Sequence, residues 1–386
     1  MASTASIISN PSPLSSSRPL KHLRNLHSQL LFVSRHRRPS LSVRSMASSV
    51  SLPVNADYLE TEFGGHGVGF EGVGDSCVVK MRLRNGSAAT LMLPSGLITS
   101  YKPYMWHGAT FEVLHTAVTE GENGEAVVQG GVSMDFKIGG DECSIPWIPS
   151  SWSLQGVRGS PEKSIQVELV SVSPEKNMAE IKCLVTLDKD CLGSELTVAN
   201  QKSSALEFSG SFISHLKVST PDAAYAVGLQ GSNYHSKQPV SSQFSIIPPD
   251  FTKRRRGSSS TSWTENMLRE LMPSWGSTEE VDDEDFETEE LEGEEPEDYA
   301  PMTEKMSRVY TNAPREFTII DRGRRNSVVI RRSGFDEFYV LSPGSEHDWY
   351  GKYAYLCIGP SAKLTPVRLE AGDVWRGAQY LHNPNL

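Results

Sequence analysis

The chain has 386 residues, 38% of them hydrophobic, with 47 carboxylate side chains against 37 lysines and arginines and a formal net charge of −10. That length buries a large core, while no apolar run approaches the roughly 20 residues that span a bilayer, and the acidic balance argues against nucleic acid as a partner. The five cysteines (Cys77, Cys143, Cys183, Cys191, Cys357) are odd in number, widely spaced and without a CxxC pair. They make a poor disulfide framework and a poor zinc site, so ordinary thiols and no metal are expected.

Residues 1–46 hold seven basic residues, Arg18, Lys21, Arg24, Arg35, Arg37, Arg38 and Arg44, many serines and no carboxylate; the first acid is Asp57. This composition is that of an organelle transit peptide, and the uncharged, hydroxyl-rich opening is of the chloroplast kind. Its removal takes the formal charge from −10 to −17. A linker is expected over 47–75, including the glycine-rich run Gly64–Gly69, which lacks the strand–loop–helix setting of a phosphate-binding loop.

From residue 76 the chain reads as strands broken by turn signals. Val78–Leu83 alternates, Asn85-Gly86 turns it, and Ala89–Leu93 follows. Leu97–Tyr101, Phe111–Leu114, Ser164–Val170, Ala179–Leu187, Ser194–Val198 and Ala205–Phe212 keep the same period of two. An all-β antiparallel sandwich is predicted. The texture breaks at Lys253–Arg256. Trp263–Met272 has the pattern of one short amphipathic helix, and Glu279–Asp298 is a block of carboxylates with no basic residue. Like charges this dense repel one another, so 253–300 is expected as a disordered insertion, either simply solvated or a docking arm for a basic partner. Strands resume at Phe317–Asp321, Ser327–Ile330 and Glu337–Leu341. One domain, 76–386, interrupted by a loop accounts for this order.

The run Tyr353–Trp375, YAYLCIGPSAKLTPVRLEAGDVW, resembles the last strands of the aldose 1-epimerase (galactose mutarotase) family, its hexose-6-phosphate branch in particular. Ser95–Tyr101, Val128–Met134, Leu154–Val157 and Phe212–Val218 followed by Tyr225–Gly231 resemble further motifs of that family in the same order. The resemblance implies an antiparallel galactose mutarotase-like β-supersandwich. It places Gly359 at the catalytic glutamate, Ile213 at the catalytic histidine, Gln129 at a substrate-binding arginine and Gln155 at a second histidine. Mutarotation needs a general base and a general acid within reach of one sugar. Glycine and isoleucine supply neither, so no catalytic residue is expected. His215 lies two residues along the same strand face as Ile213, and with Gln129, Gln155, Trp349 and Trp375 it is a candidate for a residual pocket, the alternative for the histidine and the tryptophans being ordinary core positions.

A plastid-targeted sandwich of this kind is similar to the mutarotase-like subunits of subcomplex B of the chloroplast NADH dehydrogenase-like complex, subunit 2 and its close relative. The nearest runs are Glu304–Tyr310, Thr318–Val329 and Tyr380–Leu386. The resemblance implies a non-catalytic subunit without a redox cofactor, peripheral to the stromal side of the thylakoid membrane, with the other subunits as partners. By their charge, Arg322–Arg325 and the acidic insertion are candidate contact elements, although exposed charge is usually only solvated. The alternatives are an active plastid hexose-6-phosphate 1-epimerase and a carbohydrate-binding module that retains its sugar.

Overall fold

Alternation dictates the strands. In Ala179–Leu187 the residues Ala179, Ile181, Cys183, Val185 and Leu187 are buried and those between them half-exposed, so one face meets a core. The computed structural model describes residues 54–121, 125–140, 146–174, 178–251, 292–346 and 351–384. Trp263–Met272, Lys253–Arg256, Trp349 and the expected transit peptide lie outside them.

With strands numbered β1 to β22 along the chain, two large antiparallel sheets form. The first has eleven strands in the order β1 (Val68–Val73), β2 (Ser76–Arg82), β3 (Ala88–Leu93), β4 (Leu97–Lys102), β7 (Val132–Gly139), β12 (Leu206–Lys217), β21 (Tyr355–Leu369), β20 (Glu337–Ser342), β17 (Met306–Tyr310), β14 (Asn233–Ser236) and β15 (Glu292–Glu294). The second has nine, β16 (Tyr299–Pro301), β13 (Ala224–Val227), β18 (Glu316–Asp321), β19 (Asn326–Ser333), β22 (Val374–His382), β11 (Cys191–Asn200), β10 (Ala179–Leu187), β9 (Ile165–Val172) and β8 (Ser153–Gly159). A separate hairpin pairs β5 (Thr116–Glu120) with β6 (Ala126–Gly130).

The core between the sheets is aromatic at its centre. Phe136 stacks on Phe208 at 4.9 Å, and Phe335 meets Trp375 edge-on at 4.8 Å, geometries that suit ring quadrupoles. Within this layer Gln379 of β22 donates to the Ser214 hydroxyl of β12 at 2.6 Å, a buried polar tie between the two sheets.

Three expectations need correction. The linker expected over 47–75 holds a helix, α1 (Ala56–Phe63), and the strand β1. Asn55 caps the helix by accepting from the Tyr58 N–H at 3.0 Å, and Glu60 then accepts the Phe70 N–H at 2.6 Å, fastening helix to strand. Phe111–Leu114 forms no strand, only an isolated bridge from Leu114 to Leu216. The end of the expected disordered insertion is folded. β15 closes one edge of the first sheet and β16 one edge of the second, so 292–301 borders both. Between them Glu295 is buried and accepts from Arg308 at 3.1 Å and from the Tyr310 hydroxyl at 2.9 Å. Burial with two charge-assisted partners outweighs the repulsion that composition alone suggests.

Candidate functional site: a face closed by its own chain

The site grows from β12 and β21, the two longest strands described, which pair at the centre of the first sheet. Alternation turns Phe212, Ser214 and Leu216 toward the core between the sheets and leaves Ile213 and His215 on the opposite face. On β21 the same rule puts Tyr355 and Cys357 beside them, and on β20 it adds Tyr339 and Leu341.

Register decides what Ile213 meets. Ser211 pairs with Ser361 and Ser214 with Ile358, and the register is unshifted between them, which sets Ile213 opposite Gly359. Gly359 is paired on its other side with Tyr339. Pro360, without an N–H, offers no ladder donor at the neighbouring step. A Cβ added at Gly359 would run into the Phe212 carbonyl oxygen and carbon, and Gln379 Oε1 lies 3.3 Å from it. Any side chain at 359 therefore requires the two central strands to part.

The face is covered. Residues 237–251 cross it as a strap whose Val240, Ile246 and Phe251 pack on Ile213, Val309, Tyr339, Leu341, Tyr353, Tyr355 and Cys357 in a second apolar cluster. The strap is bonded to the face through its backbone. The Val240 N–H donates to Tyr339 Oη at 3.2 Å and the Ile246 N–H to His215 Nε2 at 3.3 Å, while Tyr355 Oη donates to the Ile246 carbonyl. Gly130 N–H donates to the Phe244 carbonyl at 2.8 Å, and Gln129 Nε2 to the Gln243 carbonyl at 3.4 Å. Ser245 Oγ ties the strap to itself through the Val240 carbonyl at 2.8 Å.

His215 is wholly buried, and its ring lies 5.3 Å from that of Tyr355; His115 stacks on the same tyrosine at 5.3 Å. Burial pushes the His215 imidazole down to about 3, with a backbone contact from Gly131 working weakly the other way. Burial, then the Lys217 ammonium, lowers His115 as well. The His215 ring is therefore neutral at physiological pH. Burial also raises the Tyr339 phenol, which stays protonated.

Beside the strap lies a cavity of about 670 Å³ whose lining includes Asp135, Lys137, Lys237, Val240, Tyr339 and Lys363. Its carboxylate, Asp135, is ion-paired with Lys363 at 3.0 Å. The Lys363 stretch of β21 is gripped in turn by the buried Glu337, which accepts the N–H groups of Lys363 at 2.8 Å and Leu364 at 2.9 Å.

Of the residues singled out from sequence, Gln129, Ile213, His215 and Gly359 are brought together beneath or beside the strap. Gln155 is exposed at a bulge in β8, the edge strand of the other sheet. Trp375 is half-buried, its ring packed on Phe208 and Phe335 at the core between the sheets. Arg324 of the basic run turns inward over Phe111 at 3.9 Å and donates to the carbonyls of Lys217 and Glu112. Sequence reasoning missed the strap, because its Ser/Pro-rich text has no period and its contacts are mostly backbone. It also missed Tyr339 and Tyr355, although Tyr353, Tyr355 and Cys357 alternate in the run that carries the family resemblance.

No family model matches the chain. The Arabidopsis thaliana protein named NDH-dependent cyclic electron flow 5 is 41% identical over 342 residues, covering 88% of this chain and 86% of its own length. The chain belongs to the NDH-dependent cyclic electron flow 5 family. A putative glucose-6-phosphate 1-epimerase of Cenchrus ciliaris is 29% identical over 80 residues, 19% of this chain and 24% of its own. Among solved structures, a putative mutarotase from Salmonella typhimurium superposes with a TM-score of 0.54 at 14% identity, covering 82% of this chain and 93% of that one. The fold of this family member is mutarotase-like.

Proposed function

We propose that the chain is a non-catalytic structural or assembly subunit of the chloroplast NADH dehydrogenase-like complex, in support of cyclic electron flow around photosystem I. It is made as a precursor whose residues 1–46 are removed, and it sits peripherally on the stromal side of the thylakoid. Its 41% identical relative carries NDH-dependent cyclic electron flow in its name. Among the described residues no helix is long and apolar enough to cross a membrane, which is compatible with a peripheral position.

One observation carries the non-catalytic half of this reading. At the positions that the family resemblance assigns to acid and base, Ile213 faces Gly359 under a bonded strap, and a side chain at 359 is sterically barred. A pair that opens a pyranose ring needs a proton donor and a proton acceptor that both reach the sugar. Here the acceptor has no room and the donor position is a hydrocarbon.

Two measurements test the proposal. Native-gel fractionation of thylakoids should find the protein in a high-mass assembly; a soluble monomer alone would refute the subunit reading. Purified protein added to freshly dissolved α-glucose 6-phosphate should leave the drift of optical rotation at the buffer rate, and a clear acceleration would refute the non-catalytic reading.

A further inference from the structure

The strap closes over a polar junction at the end of β12, where the neighbouring segment changes from β7 to residues 113–115. There the His115 N–H donates to the His215 carbonyl, the His215 N–H to the Gly131 carbonyl and the Gly131 N–H to the His115 carbonyl, each at 2.8 Å. The bridge from Leu114 to Leu216, both turned to the core, sets His115 directly across from His215 on the strap face. Ser133 of β7 lies opposite Ile213, so it shares that face and is the diagonal neighbour of His215. His215 is 0% exposed, Ser133 1% and His115 8%.

Each of these three side chains carries a buried polar atom without a partner in the protein: His215 Nδ1, His115 Nε2 and Ser133 Oγ. The bonds made by the other ring atoms fix their chemistry, because a neutral imidazole has one donor nitrogen and one acceptor. His215 Nε2 accepts from the Ile246 N–H at 3.3 Å, so the His215 proton is on Nδ1. The Gly131 carbonyl beside it is already taken by the His215 backbone N–H and gives Nδ1 only a weak contact. His115 is hydrogen-bonded to the Lys352 backbone in the sense that favours its protonated form, so a ring N–H donates to that carbonyl. With Nε2 unpartnered, that N–H is Nδ1, and Nε2 is a bare acceptor. The junction thus offers one donor, one acceptor and one hydroxyl that can be either. Neither imidazole nitrogen reaches the other within hydrogen-bond distance.

Buried polar groups are almost always paired, and a buried water typically makes about three hydrogen bonds. We propose that this junction is a binding site for one internal water, which accepts from His215 Nδ1, donates to His115 Nε2 and exchanges a third hydrogen bond with Ser133 Oγ. Water fits better than a metal ion, because among the described residues no three His, Cys, Asp or Glu side chains are placed to hold one. It fits better than an organic ligand, because all three side chains are sealed from solvent. The water has a positioning role. By giving the Nδ1–H an acceptor, it holds the His215 tautomer whose Nε2 receives the strap. The other tautomer would set two N–H groups, at Nε2 and at Ile246, against each other.

The test begins with a crystal structure of the full-length protein, which should show a density peak within hydrogen-bond distance of all three atoms. Imidazole nitrogen NMR on isotope-labelled protein should find both histidines protonated at Nδ1. Two variants then probe the role. His115→Phe removes the acceptor and keeps a ring to stack on Tyr355. Exchange of the Ile246 amide should then speed up on the order of tenfold relative to that of Val240, whose N–H is held by Tyr339 Oη instead. Ser133→Ala removes the third bond with little change of shape and should move the same ratio in the same direction, which keeps the test intact if the Phe variant does not fold. A junction without density, a direct bond between the two imidazoles, or a proton on His215 Nε2 would each overturn the proposal. So would an unchanged ratio of Ile246 to Val240 exchange in Ser133→Ala. The subunit reading stands or falls separately, on the native gel.

Discussion

Substituting His215 by Gln should change how stability depends on pH, by an amount that follows from its burial. In the unfolded chain a histidine titrates near 6.5; under the strap His215 is held at about 3, chiefly by desolvation. The folded value is depressed, so below pH 6.5 the unfolded chain binds a proton that the native one refuses, and stability falls as pH falls. Above 6.5 the group has no such effect. Each pH unit below 6.5 removes about 1.4 kcal/mol, so by pH 5 the loss approaches 2 kcal/mol, and it continues toward pH 3. The pH 5 figure needs only a native value well below 5. Glutamine can keep an acceptor for the Ile246 N–H, now 3.3 Å from Nε2, and carries no titrating proton. Urea unfolding at pH 8 and pH 5 should therefore show wild type losing about 2 kcal/mol more than His215→Gln across that interval. His115 stays in both proteins and cancels in the difference. Equal losses would mean that the imidazole is not sealed in a neutral state beneath the strap, and the closed-face description would fail with it.

Three further outcomes are expected. Gly359→Ala forces a Cβ onto the Phe212 carbonyl and should lower stability by about 1–3 kcal/mol, the usual range for overpacking, measured as a drop in urea midpoint. Glu295→Ala strips a buried carboxylate from Arg308 and Tyr310 and should cost about 3–5 kcal/mol; Arg308→Met added to it should restore part of the loss, and full additivity in that double-mutant cycle would refute the coupling. Tyr355→Phe removes the donor to the Ile246 carbonyl, leaves a buried acceptor short of a bond and should cost about 1–3 kcal/mol, with hydrogen exchange accelerated at the strap amides of Val240 and Ile246.

Legibility of the sequence followed the range of the forces involved. Ala179–Leu187 was readable to the residue because its alternation is local and its burial one-sided. The shared face of Ile213 and His215 followed from the same period. Residues 292–300 were misjudged because composition speaks of repulsion, while the fold answers with Arg308 and Tyr310, more than ten residues further along. α1 is only eight residues long, and its cap and its tie to Phe70 rest on single side chains, Asn55 and Glu60. Trp375 was ambiguous for a different reason. An aromatic ring at a strand end suits a sugar or a core equally well, and its contacts with Phe208 and Phe335 come from distant strands that no local pattern reveals.

The closed face is a coupled arrangement, and that bears on how its chemistry is to be understood. Ile213 alone would leave an apolar floor open to water, which costs free energy in proportion to the exposed area. The strap removes that cost by setting Val240 and Ile246 within the same apolar cluster. A strap laid on polar atoms must in turn satisfy them, and its backbone does so at Tyr339 Oη, His215 Nε2, Tyr355 Oη and the Gly130 N–H. These are the groups that an open face would offer to a ligand. Not every polar atom is engaged, since His215 Nδ1 and His115 Nε2 are buried without a partner in the protein, but the Phe212 carbonyl lies in the space that a side chain at 359 would take. A glutamate placed at 359 and a histidine at 213 would therefore meet a closed strand pair and an occupied face.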